Sequence, residues 1–202
     1  MTITNPNPSA GTDVPTTTQI RALPGYVAGR WALDPLHSSV SFTVRHLMVS
    51  KVRGQFTNFD AEIVTADNPL DSTVAATVDL SSIDTGNADR DAHIRSADFF
   101  DVDRHPTLTF RSTGVRRDGD DFAVDGDLTI HGVTRPVTLA LDVNGFQHAS
   151  PFGDVRAGFS ATTEINRKDY GIEFNVPLEG GGVVVGEKIQ VALELELILQ
   201  ES

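Results

Sequence analysis

Cysteine is absent from the 202-residue chain, which excludes disulfides, thiolate catalysis and cysteine-ligated metals. Basic residues are also few. Sixteen Lys and Arg stand against 28 Asp and Glu, giving a formal net charge of -12. That balance argues against a nucleic-acid partner, because phosphates are met by clustered cations. It argues equally against charge-driven docking on an anionic membrane. No apolar run approaches the ~20 residues of a membrane-crossing helix. The first residues, MTITNPNPSAGTDVPTTTQI, hold neither the basic nor the apolar segment of a secretory leader. With the initial Met, this makes the cytoplasm the expected location.

What is present is alternation. Residues 1–23 are rich in Thr, Pro, Asn, Ser and Ala and are expected to form a disordered tail, because they bury too little to offset their ordering entropy. Residues 24–202 are expected to form one domain. From Trp31 onward, apolar residues recur every second position. VSFTVRH sets Val40, Phe42, Val44 and His46 on one face, and FDAEIV does so with Phe59, Ala61 and Ile63. In KIQVALELELIL, Ile189, Val191, Leu193, Leu195, Leu197 and Leu199 oppose Gln190, Glu194 and Glu196. Period two with one wet face predicts antiparallel strands. Asp118-Gly119 predicts a hairpin turn. HGVTRP predicts another, with Pro136 opening the next strand. Many strands at short spacing indicate a sandwich or barrel. Ala76, Gly126, Ala157, Ala161 and Thr163 fall where bulk is usual, so they either leave an interior cavity or fit a taper.

One stretch breaks the alternation: SIDTGNADRDAHIRSADFFD, Ser82 to Asp101. Asn87 or Thr85 can cap a helix, and Asp89 and Asp91 suit its first turn. A short helix is expected from Asn87 to about Ala97, across one end of the barrel.

Chemical motifs are sparse. Asp89 and His93 share a helix face, but no further ligand motif accompanies them. His46 falls on the inward parity of its strand, where a histidine must find a hydrogen bond. A G-x-S-x-G elbow and a phosphate loop are both missing. NRKDYG, at Asn166 to Gly171, reads as an ordinary turn. No catalytic set, cofactor or metal site is assigned.

Four long motifs, in order, carry a resemblance: DPLHSSVSFTVRHLMVSKVRGQFTNFDAEI, SSIDTGNADRDAHIRSADFFDVDRHPTLTFRS, VDGDLTIHGVTRPVTLAL and RAGFSATTEINRKDYGI. Over about residues 31–199 the chain resembles the YceI-like family. That resemblance implies an all-β fold, an elongated, antiparallel, lipocalin-like β-barrel with a short helix at its mouth. It also implies an apolar tunnel for a long-chain amphiphile, whether a polyisoprenoid, an isoprenoid quinone or a fatty-acid derivative. Candidate wall residues are Phe42, Val44, His46, Phe56, Ile63 and Val78, followed by Phe110, Leu128, Phe159 and Ala161. At the rim, Arg90 and Arg95 are assigned to an anionic head group, and Asp84, Asn87 and His93 to hydrogen bonds. Ile94, Phe99 and Phe100 are assigned to packing beneath the helix. Many relatives carry a secretion signal that is not visible here. Alternatives are an enzyme acting on such a lipid, with a mouth or interior histidine as acid/base, and an interaction module with a solid core. A peripheral encounter with a membrane and a homodimer are associations left open.

Overall fold

A computed structural model describes residues 23–151, 153–177 and 182–201. The predicted tail, apart from Leu23, lies outside the described residues. The elements are β1 (Gly29–Leu33), β2 (Ser39–His46), β3 (Ser50–Phe56), β4 (Phe59–Thr65), β5 (Thr73–Asp79), β6 (Ile83–Asp84), α1 (Ala88–Arg95), β7 (Thr107–Asp118), β8 (Asp121–Ile130), β9 (Val133–Gln147), β10 (Arg156–Asn166) and β11 (Val185–Leu199). Every strand pairing is antiparallel.

Closure comes from β11. On one side it pairs with β10 from Arg156↔Ile198 to Asn166↔Lys188. On the other, its C-terminal half pairs with β1 (Trp31↔Leu199) and its N-terminal half with β2 (Val40↔Leu193). The segments β1 and β2 are therefore one bent strand, and β3 and β4 repeat the arrangement beside them (Val40↔Phe56, Trp31↔Ile63). With β5, β7, β8, β9, β10 and β11, these make an eight-position closed barrel. Closure gives every position in the barrel a hydrogen-bonded neighbour on both sides over part of its length.

The bend between β1 and β2 is held by charge. Asp34 is buried and its backbone N–H donates to Glu196 O at 2.8 Å. Its carboxylate accepts from Arg156 Nη1 (2.7 Å), His37 Nδ1 (3.0 Å) and the Leu36 N–H (2.9 Å). Arg156 also donates to Asp154 and Glu196. The His37 bond, followed by the Arg156 bond, holds the Asp34 carboxyl far below the usual carboxylate range. Reciprocally, the hydrogen bond to Asp34 raises His37.

Two details differ from the sequence reading. The turn after β8 is His131-Gly132 alone, so β9 begins at Val133 and Pro136 lies within it, opposite Asp127. The ladder tolerates this because β10 pairs with β9 only as far as Ala140, leaving the Pro136 segment unpaired on that side. Gly126 does not open the interior. A Cβ there would come within 2.4 Å of the Phe110 ring, so the glycine makes room for that ring.

Gly126→Ala is expected to destabilise the protein by about 1–3 kcal/mol through overpacking, read by denaturant titration. The pH dependence has two arms. Asp34, depressed in the folded state, contributes stability above the ordinary carboxylate value of about 3.9, lost as pH falls through its folded value. His37, raised in the folded state, contributes below about pH 6.5, lost as pH rises through its folded value. An NMR titration is expected to place the His37 midpoint above about 6.5, and Asp34→Asn to return it to the ordinary range.

Candidate functional site

The interior of the barrel holds a cavity of about 220 Å³. Its walls are the inward residues that alternation marks: Ala61 and Ile63 from β4, Val74, Ala76 and Val78 from β5, Leu139 and Leu141 from β9, and Val191, Leu193 and Leu195 from β11. Among the described lining residues only Asp60 is charged, and Tyr26, Ser41, Thr65, Ser72, Thr73 and Thr163 supply the other polar side chains. From Phe59 to Thr65 along β4 the lined stretch is about 20 Å long at strand rise. The space is therefore long and apolar.

Small residues create part of it. Ala161 is buried and lines the cavity between its partners Leu141 and Leu193, and Ala76 and Thr163 also line it. Ala157, equally small, does not. It packs with Trp31, Ile63 and Leu197.

The two ends differ. At the α1 end, Ile130, Tyr170 and Ile172 pack with Phe110, Val124 and Leu128, and Phe99 and Phe100 join that cluster. None of Ile130, Tyr170, Ile172, Phe99 and Phe100 lines the cavity, so this end is plugged. At the opposite end the lining residues are Leu23, Tyr26, Pro69 and Ser72, all half-buried. There the Tyr26 hydroxyl donates to Ala66 O at 2.6 Å and lies 3.4 Å from Ser72 Oγ.

The candidate residues divide along the same line. Phe42, Phe56, Ile63, Val78, Phe110, Leu128, Phe159 and Ala161 all line the cavity. Val44 and His46 do not, since they lie toward the tip of the β2–β3 hairpin, with His46 paired to Ser50. None of the residues assigned to the rim at the helix lines the cavity. Arg90 donates to Thr85 Oγ1 (2.7 Å) and Thr85 O (2.8 Å), and Arg95 to Ser81 O (2.9 Å) and Ile83 O (3.0 Å). Asp84 accepts from the Gly86 N–H at 2.8 Å, and Asn87 caps α1 by accepting from the Arg90 N–H at 2.9 Å. His93 pairs with Asp98 at 2.8 Å. Beneath the helix, Ile94 and Phe100 pack on the Phe56, Leu80 and Ile83 cluster, as expected of that face. The helix spends its polar groups on fastening itself.

None of the six histidines lines the cavity. Two groups of metal-ligating side chains lie elsewhere among the described residues: Asp34, His37 and Glu196 at the bend, and Asp101, His105 and His131 at the plugged end.

The NRKDYG motif is more than a turn. Arg167 is buried and donates to Ile172 O (2.8 Å) and Gly186 O (3.0 Å). Burial lowers its pKa and pushes Tyr170 up to about 12. Together they tie the β10–β11 connection over the plugged end. Nothing in NRKDYG marks Arg167 as the buried residue, since the exposed Lys168 beside it is equally basic.

Comparison with known proteins agrees with this architecture. A family model described as the YceI-like domain matches residues 31–197. Protein YceI of Escherichia coli is 44% identical over 138 residues, covering 68% of this chain and 72% of the relative. A UPF0312 protein of Staphylococcus epidermidis is 40% identical over 168 residues, covering 83% and 96%. Among solved structures, a polyisoprenoid-binding domain of Saccharophagus degradans superposes with a TM-score of 0.64 at 19% identity, over 84% of this chain and 98% of that one. With the family match spanning most of the barrel, and two relatives at 40% identity or more, the chain belongs to the YceI-like family.

Proposed function

We propose that the protein binds the hydrocarbon chain of a long amphiphile inside its barrel, and so carries or sequesters a polyisoprenoid, an isoprenoid quinone or a fatty-acid derivative. The observation that carries this reading is the apolar cavity, lined along β4 for about 20 Å. The fold shared with a polyisoprenoid-binding domain is consistent with it. The chain enters at the Tyr26, Pro69 and Ser72 end, where the cavity lining includes hydroxyls, and its tip stops beneath the Phe99–Phe100 plug. The enzyme alternative is weaker, since no histidine reaches the cavity to act as acid or base.

Energetics set the form of the test. Each buried methylene contributes up to about 0.8 kcal/mol, reduced by chain ordering and association entropy. Calorimetric titration with prenyl alcohols of increasing length is expected to show affinity rising with length until the cavity is filled, then levelling. Recovery of the alcohol unchanged separates a carrier from an enzyme. Affinity independent of length contradicts the proposal.

Ala161→Trp places an indole in the cavity. In a solid core such overpacking costs about 1–3 kcal/mol. Here the empty protein is expected to lose less than that while long-chain affinity falls more than about tenfold, a change of 1.4 kcal/mol or more. Marked destabilisation with binding retained contradicts the assignment.

A further inference from the structure

At the plugged end of the barrel, three side chains from two connections converge. One carboxylate oxygen of Asp101, one ring nitrogen of His105 and one of His131 all lie within 4.8 Å of one another. The two imidazole rings meet edge to face, their centroids 4.7 Å apart. Asp101 and His105 precede β7, and His131 forms the β8–β9 turn. This cluster is separate from the cavity and from the function proposed for it.

The backbone is shaped around this meeting. Asp101 and His131 have φ of +48° and +52°, a region that L-residues rarely adopt. In a two-residue turn with both φ positive, Asn-Gly or Asp-Gly is the ordinary choice, yet here the first position is histidine. Its neighbour Gly132 is needed for a different reason. A Cβ there would come within 2.9 Å of His105 Cε1, so only glycine lets the second imidazole approach the turn.

The hydrogen bonding around the rings also suits a cation. His131 Nδ1 lies 3.3 Å from Tyr170 O, and a carbonyl only accepts. A hydrogen on Nδ1 satisfies that carbonyl and leaves Nε2 as the ligating atom, which is how ligating histidines are oriented by a carbonyl behind them. The His105 ring makes no hydrogen bond among the described residues. Among the described residues Asp101 has one ion-pair partner, Arg104 at 3.3 Å, whose side chain is 76% exposed and easily displaced. The other group, Asp34, His37 and Glu196, differs in this respect, because the Arg156 guanidinium already supplies its positive charge.

We propose that Asp101, His105 and His131 form a binding site for a divalent first-row transition ion of the Zn²⁺ type. Two imidazoles and a carboxylate, without thiolate, suit a borderline ion that keeps a fourth position for water. Ligand atoms around a tetrahedral ion lie about 3.4 Å apart at ordinary bond lengths, so small side-chain rotations close the set. A bound ion ties the connection before β7 to the β8–β9 turn. Through Tyr170 O it also reaches the β10–β11 connection. These segments plug the barrel, so the ion stabilises them by binding the folded state alone.

The test uses the full chain without an affinity tag, stripped with a chelator and titrated with Zn²⁺ alone. Calorimetry is expected to give one Zn²⁺ per chain, and Co²⁺ to give the intense visible absorption of a tetrahedral site. Zn²⁺ is expected to raise the thermal midpoint. His105→Gln and His131→Asn are each expected to weaken binding at least about tenfold and to abolish the thermal shift. Asn tolerates the left-handed turn, so His131→Asn keeps the fold. Asp101→Asn, which also tolerates its positive φ, removes the charged ligand as a second check. His93→Gln, beside Asp98 on the helix, is expected to leave binding unchanged. Absence of stoichiometric binding, or binding that survives both His105→Gln and His131→Asn, overturns the proposal.

Discussion

The structure depends on closure of the sheet through β11. Its fifteen residues pair along one edge with β10 and along the other with β1 and then β2. Closure turns a one-sided alternation into an enclosed interior, because every inward side chain then faces others across a diameter set by strand number and tilt. With large residues throughout, that interior would be solid. Ala161, Ala76 and Thr163 stand on inward positions where bulk would fill the gap, and apolar space remains. Such a lining offers water few hydrogen-bond partners and favours an apolar occupant.

Closure has a price at the bend. A strand that pairs along all of β11 cannot stay straight, and the chain breaks between Leu33 and Ser39. The backbone groups released there are taken up by Glu196 O, Ser38 and the Asp34 carboxylate, and Arg156 neutralises the acids so gathered. The opposite end is secured differently. Arg167, Arg90 and Arg95 donate to backbone carbonyls, and aromatic residues fill the space beneath. In a chain with few cations, these are spent on holding loops. The barrel therefore has one end sealed by packing and one end where hydroxyls meet the cavity.

Alternation was enough to place the wall residues. Phe42, Ile63 and Leu193 line the cavity as their parity requires, and Asn87 caps the helix as its side chain permits. Parity fails at strand ends. His46 obeys the alternation, but β2 continues past the cavity before it turns, so an inward parity there points at nothing enclosed. The helix was legible as a helix and illegible as a plug. A cluster of arginines looks like a head-group site in sequence, whereas the nearby carbonyls that hold Arg90 and Arg95 emerge only from the fold. The Asp101, His105 and His131 grouping was invisible for a related reason, since strand register alone brings His131 to His105.

The central claim is that the barrel interior houses a hydrocarbon chain. Intermolecular NOEs between a long-chain prenyl alcohol and methyl-labelled protein test it most directly. The account predicts NOEs from the chain to the methyls of Leu139, Leu193 and Val191 within the cavity, and none to the exposed hairpin-tip residues Leu47, Met48 and Val49. NOEs confined to the hairpin tip, with the interior methyls silent, would contradict it.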